Sequence, residues 1–129
     1  MNTYKQILDS AKRTIALEHE AVANLNSLID QDFAKAVLCI YNAKGRVIIS
    51  GVGKSAIIAQ KMVATLNSTG TPSVFMHAAD AIHGDLGTIQ KDDVVVCLSN
   101  SGNTAEIKVL IPLIKNQENT VTAMTSNKD

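Results

Sequence analysis

The hydrophobic pattern changes period along the chain, dividing it into a helical N-terminal part and a longer part in which short and long periods alternate. From residue 3 to about residue 30, Leu8, Ile15, Val22 and Ile29 recur at heptad spacing, with Ala11 and Leu25 in the complementary seam. That spacing predicts a long helix able to lie along another helix, although Glu18 interrupts the seam. Two uses stay open: the helix covers its own domain, or it contributes to a subunit interface. Phe33, Ala36, Val37, Ile40 and Tyr41 predict a second helix from about Asp32 to Asn42, with Gly45 in the usual stop position.

Past Gly45 the apolar positions fall into short β-branched runs. Arg46–Ser50, Ser73–Met76, Asp93–Leu98 and Thr120–Met124 read as strands. Between them, Ile57, Ile58, Met62, Val63 and Leu66 keep helical spacing as far as Gly70, and Ile107, Val109, Leu110, Ile111, Leu113 and Ile114 do so again. Strands alternating with helices predict an α/β fold: a doubly wound, three-layer αβα sandwich with a parallel sheet and ligand groups at the carboxyl ends of the strands. The sequence stops at Ser126-Asn127-Lys128-Asp129, directly past the fourth strand, with no helix to return across the sheet. The expectation is therefore one domain over residues 1–129, shortened at its C-terminal end.

Three loops follow strands and can converge on one crevice: Gly51–Ser55, His77–Gly87 and Ser99–Glu106. The last joins a buried strand to an amphipathic helix through Ser99-Asn100-Ser101-Gly102-Asn103-Thr104. Unpaired N–H groups and the positive end of the dipole make such a helix start fit for an anion, and the reading is a phosphate site. Ser99, Ser101 and Thr104 would add hydroxyl donors, while Gly102 would allow close approach or a positive φ. Glu106 sits in the same first turn, beside whatever carbon skeleton the phosphate anchors.

The glycine loop has three readings. A Walker loop needs a glycine where Ile48 stands. Gly51-Val52-Gly53-Lys54-Ser55-Ala56 comes closer to a dinucleotide fingerprint, yet the second strand ends in Met76-His77 where a ribose-binding acid is expected. The third reading, beside which the dinucleotide one stays open, is a sugar-phosphate site, and there Lys54 is informative: a cation at a helix N-terminus opposes the dipole and wants an anion nearby, unless it is simply solvated.

Charge narrows the partners. With 12 basic and 12 acidic residues there is no electrostatic footprint for nucleic acid or an anionic membrane, which favours a small ligand. Aromatics at 3% give no stacking platform for bases. No apolar run reaches transmembrane length, and Met1-Asn2-Thr3-Tyr4-Lys5-Gln6 lacks a signal-peptide layout, so a cytoplasmic location is expected. Cys39 and Cys97 read as small buried hydrophobes rather than a disulfide or metal pair.

Four motifs now stand in order: Gly51-Val52-Gly53-Lys54-Ser55, Ser68-Thr69-Gly70-Thr71-Pro72-Ser73, Ala81-Ile82-His83-Gly84-Asp85-Leu86-Gly87 and Leu98-Ser99-Asn100-Ser101-Gly102. From about Gly45 to the end, this resembles the sugar isomerase (SIS) domain, and specifically the arabinose-5-phosphate isomerases. The resemblance implies a five-stranded parallel sheet between helices and tetramers with sites at subunit contacts. No cofactor is expected, and no metal, since the spacing of His77, Asp80 and His83 matches no helical or turn ligand pattern. The resemblance also implies interconversion of D-arabinose 5-phosphate and D-ribulose 5-phosphate, feeding the octulosonic acid sugar of lipopolysaccharide or capsule. Lys54 matches the family's glycine-loop lysine, His83 its His-Gly-Asp histidine and Glu106 the glutamate after its Ser-Gly loop, each an active-site position in relatives. The family draws a further glutamate and a further histidine from later in the domain, and many members append paired CBS domains. Where relatives often have Pro-Gly-Glu, this chain has Ala78-Ala79-Asp80.

The chemistry asks for the same residue types. An aldose–ketose isomerase removes a proton beside a carbonyl, stabilises an enediolate and returns the proton to the neighbouring carbon. Glu106 is the candidate acid–base group, although a carboxylate there also simply suits the dipole. Lys54 would neutralise the oxyanion, and His83, oriented by Asp85, would shuttle protons. Gly53, Ser55, Ser99, Asn100, Ser101, Gly102, Asn103 and Thr104 complete the expected substrate contacts. The competing class is a sugar-phosphate sensor, which needs the phosphate loop and no base.

Overall fold

A computed structural model describes residues 3–127; Met1, Asn2, Lys128 and Asp129 lie outside the described residues. The chain divides into two compact units between Val37 and Leu38. In the first, α1 (Thr3–Asn24) is followed by a 3-10 turn at Leu25–Leu28, so the long helix ends sooner than its heptad pattern predicts. No residue of α1 is buried: Leu8, Ile15 and Val22 are each more than half exposed. Helix α2 (Gln31–Tyr41) starts where Asp30 Oδ1 accepts the N–H groups of Asp32 and Phe33.

The second unit holds β1 (Val47–Gly51), α3 (Lys54–Ser68), β2 (Ser73–His77), the short α4 (Ala78–Ile82), a 3-10 turn at Asp85–Thr88, β3 (Val94–Leu98), α5 (Ala105–Asn116) and β4 (Thr120–Met124). Among the described residues four strands form the sheet, all parallel, in the order β2-β1-β3-β4. The chain therefore winds outward from β1 in one direction and then from β3 in the other, the doubly wound arrangement that the alternation predicts.

Strand period sorts the core onto two faces. Ile48, Met76, Val95 and Cys97 pack under α4 and α5 with Ala78, Ala81, Ile107, Leu110 and Ile114. Val47, Ile49, Val96 and Leu98 pack on the other face with Ala59, Met62, Val63 and Leu66 of α3. Strands β1 and β3 are buried throughout, which explains why their sequences are apolar without alternation. Strand β4 lies at the sheet edge and is only partly covered.

Gly45 does not end α2 as a left-handed stop. Its N–H donates to the Asp92 carbonyl at 3.0 Å, and a Cβ at this position would lie 2.5 Å from the Asp92 carbonyl carbon and oxygen. The absent side chain serves close approach of two backbones. Beside it Asp93, 3% exposed, accepts from the Arg46 N–H at 2.7 Å, Arg46 Nη2 at 2.7 Å and the Gln90 N–H at 2.8 Å. Arg46 Nη2 also donates to the Thr88 carbonyl, and Asn119 Nδ2 to the carbonyls of Gln90 and Asp93. This clamp closes the amino-terminal rim of the sheet.

Candidate active site

The expected site residues all fall at the opposite, carboxyl-terminal rim. Gly53 and Lys54 begin α3 directly after β1, and Ser55 follows in its first turn. His83 ends α4 after β2, and Glu106 lies in the first turn of α5 after β3. Parallel strands require this: each one delivers its following loop to the same edge. Lys54 and His83 are exposed or nearly so, Glu106 half-buried. Among the described residues none of these three side chains makes an ion pair or hydrogen bond, to Asp85 or to any other group. The ring of His77 is engaged, accepting from the Ala79 N–H through Nδ1 and so capping α4.

The Ser99–Thr104 turn is the most defined part. Ser99 Oγ and Thr104 Oγ1 share a hydrogen bond at 2.7 Å, which occupies one of their two hydroxyl protons and leaves the other to donate. Ser101 Oγ accepts from the Asn103 N–H, the Gly102 N–H donates to the Ser99 carbonyl, and Asn103 Oδ1 accepts from Lys108 Nζ. Gly102 has φ 71°, the left-handed conformation that its expected role allowed for. The N–H groups of Gly102 and Asn103 are therefore spent within the turn. Among the described residues, those of Asn100, Ser101, Thr104, Ala105, Glu106 and Ile107 have no protein acceptor, and the first helical bond runs from Lys108 to Thr104. Thr104 is the N-cap residue but its side chain caps nothing. Several unspent donors at the positive end of a helix are chemically suited to an anion.

Beside the turn a cleft of about 220 Å³ opens between α3 and the ends of β3 and β4. Ser55, Ser99 and Asn100 line it, with Thr125 and Ser126, which the sequence alone did not bring into view. The single hydroxyl proton of Ser126 Oγ is shared between the Asn100 carbonyl, the shorter contact, and Asn100 Oδ1 at 2.9 Å; the Ser126 N–H donates to that same carbonyl. Their nearness follows from the parallel pairing of β3 with β4, which ends with Leu98 opposite Met124 and releases both loops side by side. Small hydroxyl residues just past a strand paired to β3 are the signal that could have found them.

Cys97 is buried in β3, and burial pushes its thiol up to about 11, so it stays protonated and packs as a hydrophobe. Cys39 is half-buried. No helix among the described residues is long and apolar enough to cross a membrane.

The SIS domain profile matches residues 39–129. Arabinose 5-phosphate isomerase KdsD of Pseudomonas aeruginosa is 51% identical over 129 residues, covering 100% of this chain and 40% of that protein. Arabinose 5-phosphate isomerase KpsF of Escherichia coli is 46% identical over 122 residues, 94% of this chain and 37% of the relative. Among solved structures, a protein of E. coli CFT073 in complex with arabinose 5-phosphate superposes with a TM-score of 0.90 at 41% identity, covering 98% of this chain and 67% of the other. The chain thus spans well under half the length of the two curated relatives.

Proposed function

The chain belongs to the SIS domain family, and from that premise we propose that it carries the phosphate-binding and proton-transfer groups of an arabinose-5-phosphate isomerase. The carrying observation is the set of unspent amides at the start of α5, in the same turn as Glu106 and on the same sheet edge as Lys54 and His83. The substrate's phosphate sits in that cradle. Its carbon skeleton then extends toward the charged side chains, held in register by a group remote from the reacting carbons.

Glu106 removes the proton on the carbon next to the aldehyde of D-arabinose 5-phosphate, leaving an enediolate, and returns it to the former aldehyde carbon to give D-ribulose 5-phosphate. Lys54 balances the oxyanion as charge moves onto oxygen, and His83 carries the proton exchanged between the two oxygens. Hydrogen moves within one molecule, so the reaction consumes no redox cofactor. The product flow serves 3-deoxy-D-manno-octulosonate synthesis for lipopolysaccharide or capsule, in the cytoplasm. The exposed apolar ridge of α1 supports assembly into a homotetramer with sites at subunit contacts.

The test incubates the protein with D-ribulose 5-phosphate and follows D-arabinose 5-phosphate, for the wild type and for Glu106→Gln. The variant is expected to bind inorganic phosphate as the wild type does and to lose at least about a hundredfold in kcat. Wild-type binding without turnover would favour a sensor, and full turnover in Glu106→Gln would remove that residue from the mechanism.

A further inference from the structure

We propose that Ser126, at the exit of β4, is a positioning residue: by gripping Asn100 it turns the Asn100–Ser101 peptide so that the Ser101 N–H faces the anion. The proposal rests on reading the Ser99–Thr104 turn as the phosphate site. The observation is an extension of strand pairing beyond the sheet. After Leu98 and Met124 face each other, the Ser99 N–H donates to the Met124 carbonyl at 3.0 Å, and the Ser126 N–H to the Asn100 carbonyl at 3.2 Å. Ser126 Oγ adds one shared donation to the Asn100 carbonyl and Asn100 Oδ1, and Thr125 Oγ1 approaches the same carbonyl at 3.4 Å.

A trans peptide is planar, and its C=O and N–H point in opposite directions. Because the Asn100 carbonyl is drawn toward Thr125 and Ser126, the Ser101 N–H of the same peptide must point away from them. That N–H has no acceptor among the described residues. Without the grip, the peptide could rotate and carry its donor out of the cradle. A close fit at Gly102 supports the same arrangement: a Cβ there would lie 3.0 Å from Thr125 Oγ1 and 3.3 Å from the Asn127 carbonyl oxygen, so the β4 exit packs directly against the turn.

Ser126→Ala removes the hydroxyl and keeps the backbone bond. The expected result is an increase of about tenfold in KM for D-ribulose 5-phosphate and in the Kd of inorganic phosphate, with kcat changed by less than about twofold. Ser126→Thr, which restores a hydroxyl, should recover both constants. The unliganded thermal midpoint should not move, because the side chain is exposed. Unchanged phosphate affinity in Ser126→Ala, or a loss that Ser126→Thr fails to recover, overturns the proposal. The phosphate measurement separates it from the isomerase reading: a protein that binds phosphate without turnover still shows the tenfold weakening if Ser126 positions the turn. A wild type that binds no phosphate overturns both.

Discussion

Removing the Asp93 carboxylate should cost more stability than truncating any exposed polar side chain at the carboxyl-terminal rim. Its side chain is 1% exposed, against 31% for Arg46. Asp93→Ala would leave the Arg46 and Gln90 N–H groups without their acceptor and the guanidinium holding only the Thr88 carbonyl. Removing one partner of a buried pair costs roughly 3–5 kcal/mol, and the part-exposed Arg46 head recovers some hydration, so about 3 kcal/mol is expected. For a chain of this size that lowers the thermal midpoint by about 10 °C. Asp93→Asn keeps the shape but turns an acceptor into a donor among donors, and should cost about 2 kcal/mol.

The pH dependence follows from the same contacts. Burial pushes the Asp93 carboxyl up, but the Arg46 guanidinium and the N–H groups of Gln90 and Arg46 outweigh it, so the group sits below its ordinary value. A carboxyl lowered by folding adds stability above its unfolded pKa of about 3.9 and loses it as pH falls toward the folded value. Arg46 is raised by its hydrogen bond to Asp93, with desolvation opposing and the charge contact adding, and its contribution is lost only above the alkaline range of ordinary assays. Thermal and urea unfolding followed by circular dichroism, at about pH 7 and at about pH 3, measure both effects. Asp93→Ala within about 0.5 kcal/mol of the wild type would refute the clamp, and an equal acid slope in Asp93→Asn would refute the pH argument.

Two further outcomes follow from packing. Gly45→Ala should destabilise by about 2 kcal/mol, because its Cβ collides with backbone at Asp92 that the Asp93 clamp holds still; urea unfolding without loss would contradict the close approach. Ser50 is fully buried in β1 and its hydroxyl has no partner among the described residues, so Ser50→Ala should stabilise by about 1 kcal/mol, and a clear loss in the urea midpoint would mean the hydroxyl is in use.

Much of the architecture was legible because it rests on local period. Thr120–Met124 reads as a strand and is one, and β1 and β3 show as apolar runs because both of their faces are covered. The doubly wound order followed from alternation, and with it the common rim for Lys54, His83 and Glu106. What stayed hidden depends on residues distant in sequence. Gly45 looks like a helix stop until Asp92 is brought against it, and Arg46 and Asp93 are an ordinary basic and acidic residue until β1 and β3 align. Ser126 lies 26 positions from Asn100, and only strand register joins them. Gly102 is expected either to allow close approach or to take a positive φ, and the structure shows both.

A parallel sheet sorts a molecule by direction of travel. Here the strands set out from a rim locked by Arg46, Asp93 and Asn119 and arrive at one made of short, separately delivered loops. On the proposed function, substitutions at the departure side are felt as folding defects, while those at the arrival side retune what is held and how fast it reacts. A chain so divided can acquire a new small-molecule specificity through its arrivals while its departures keep it folded.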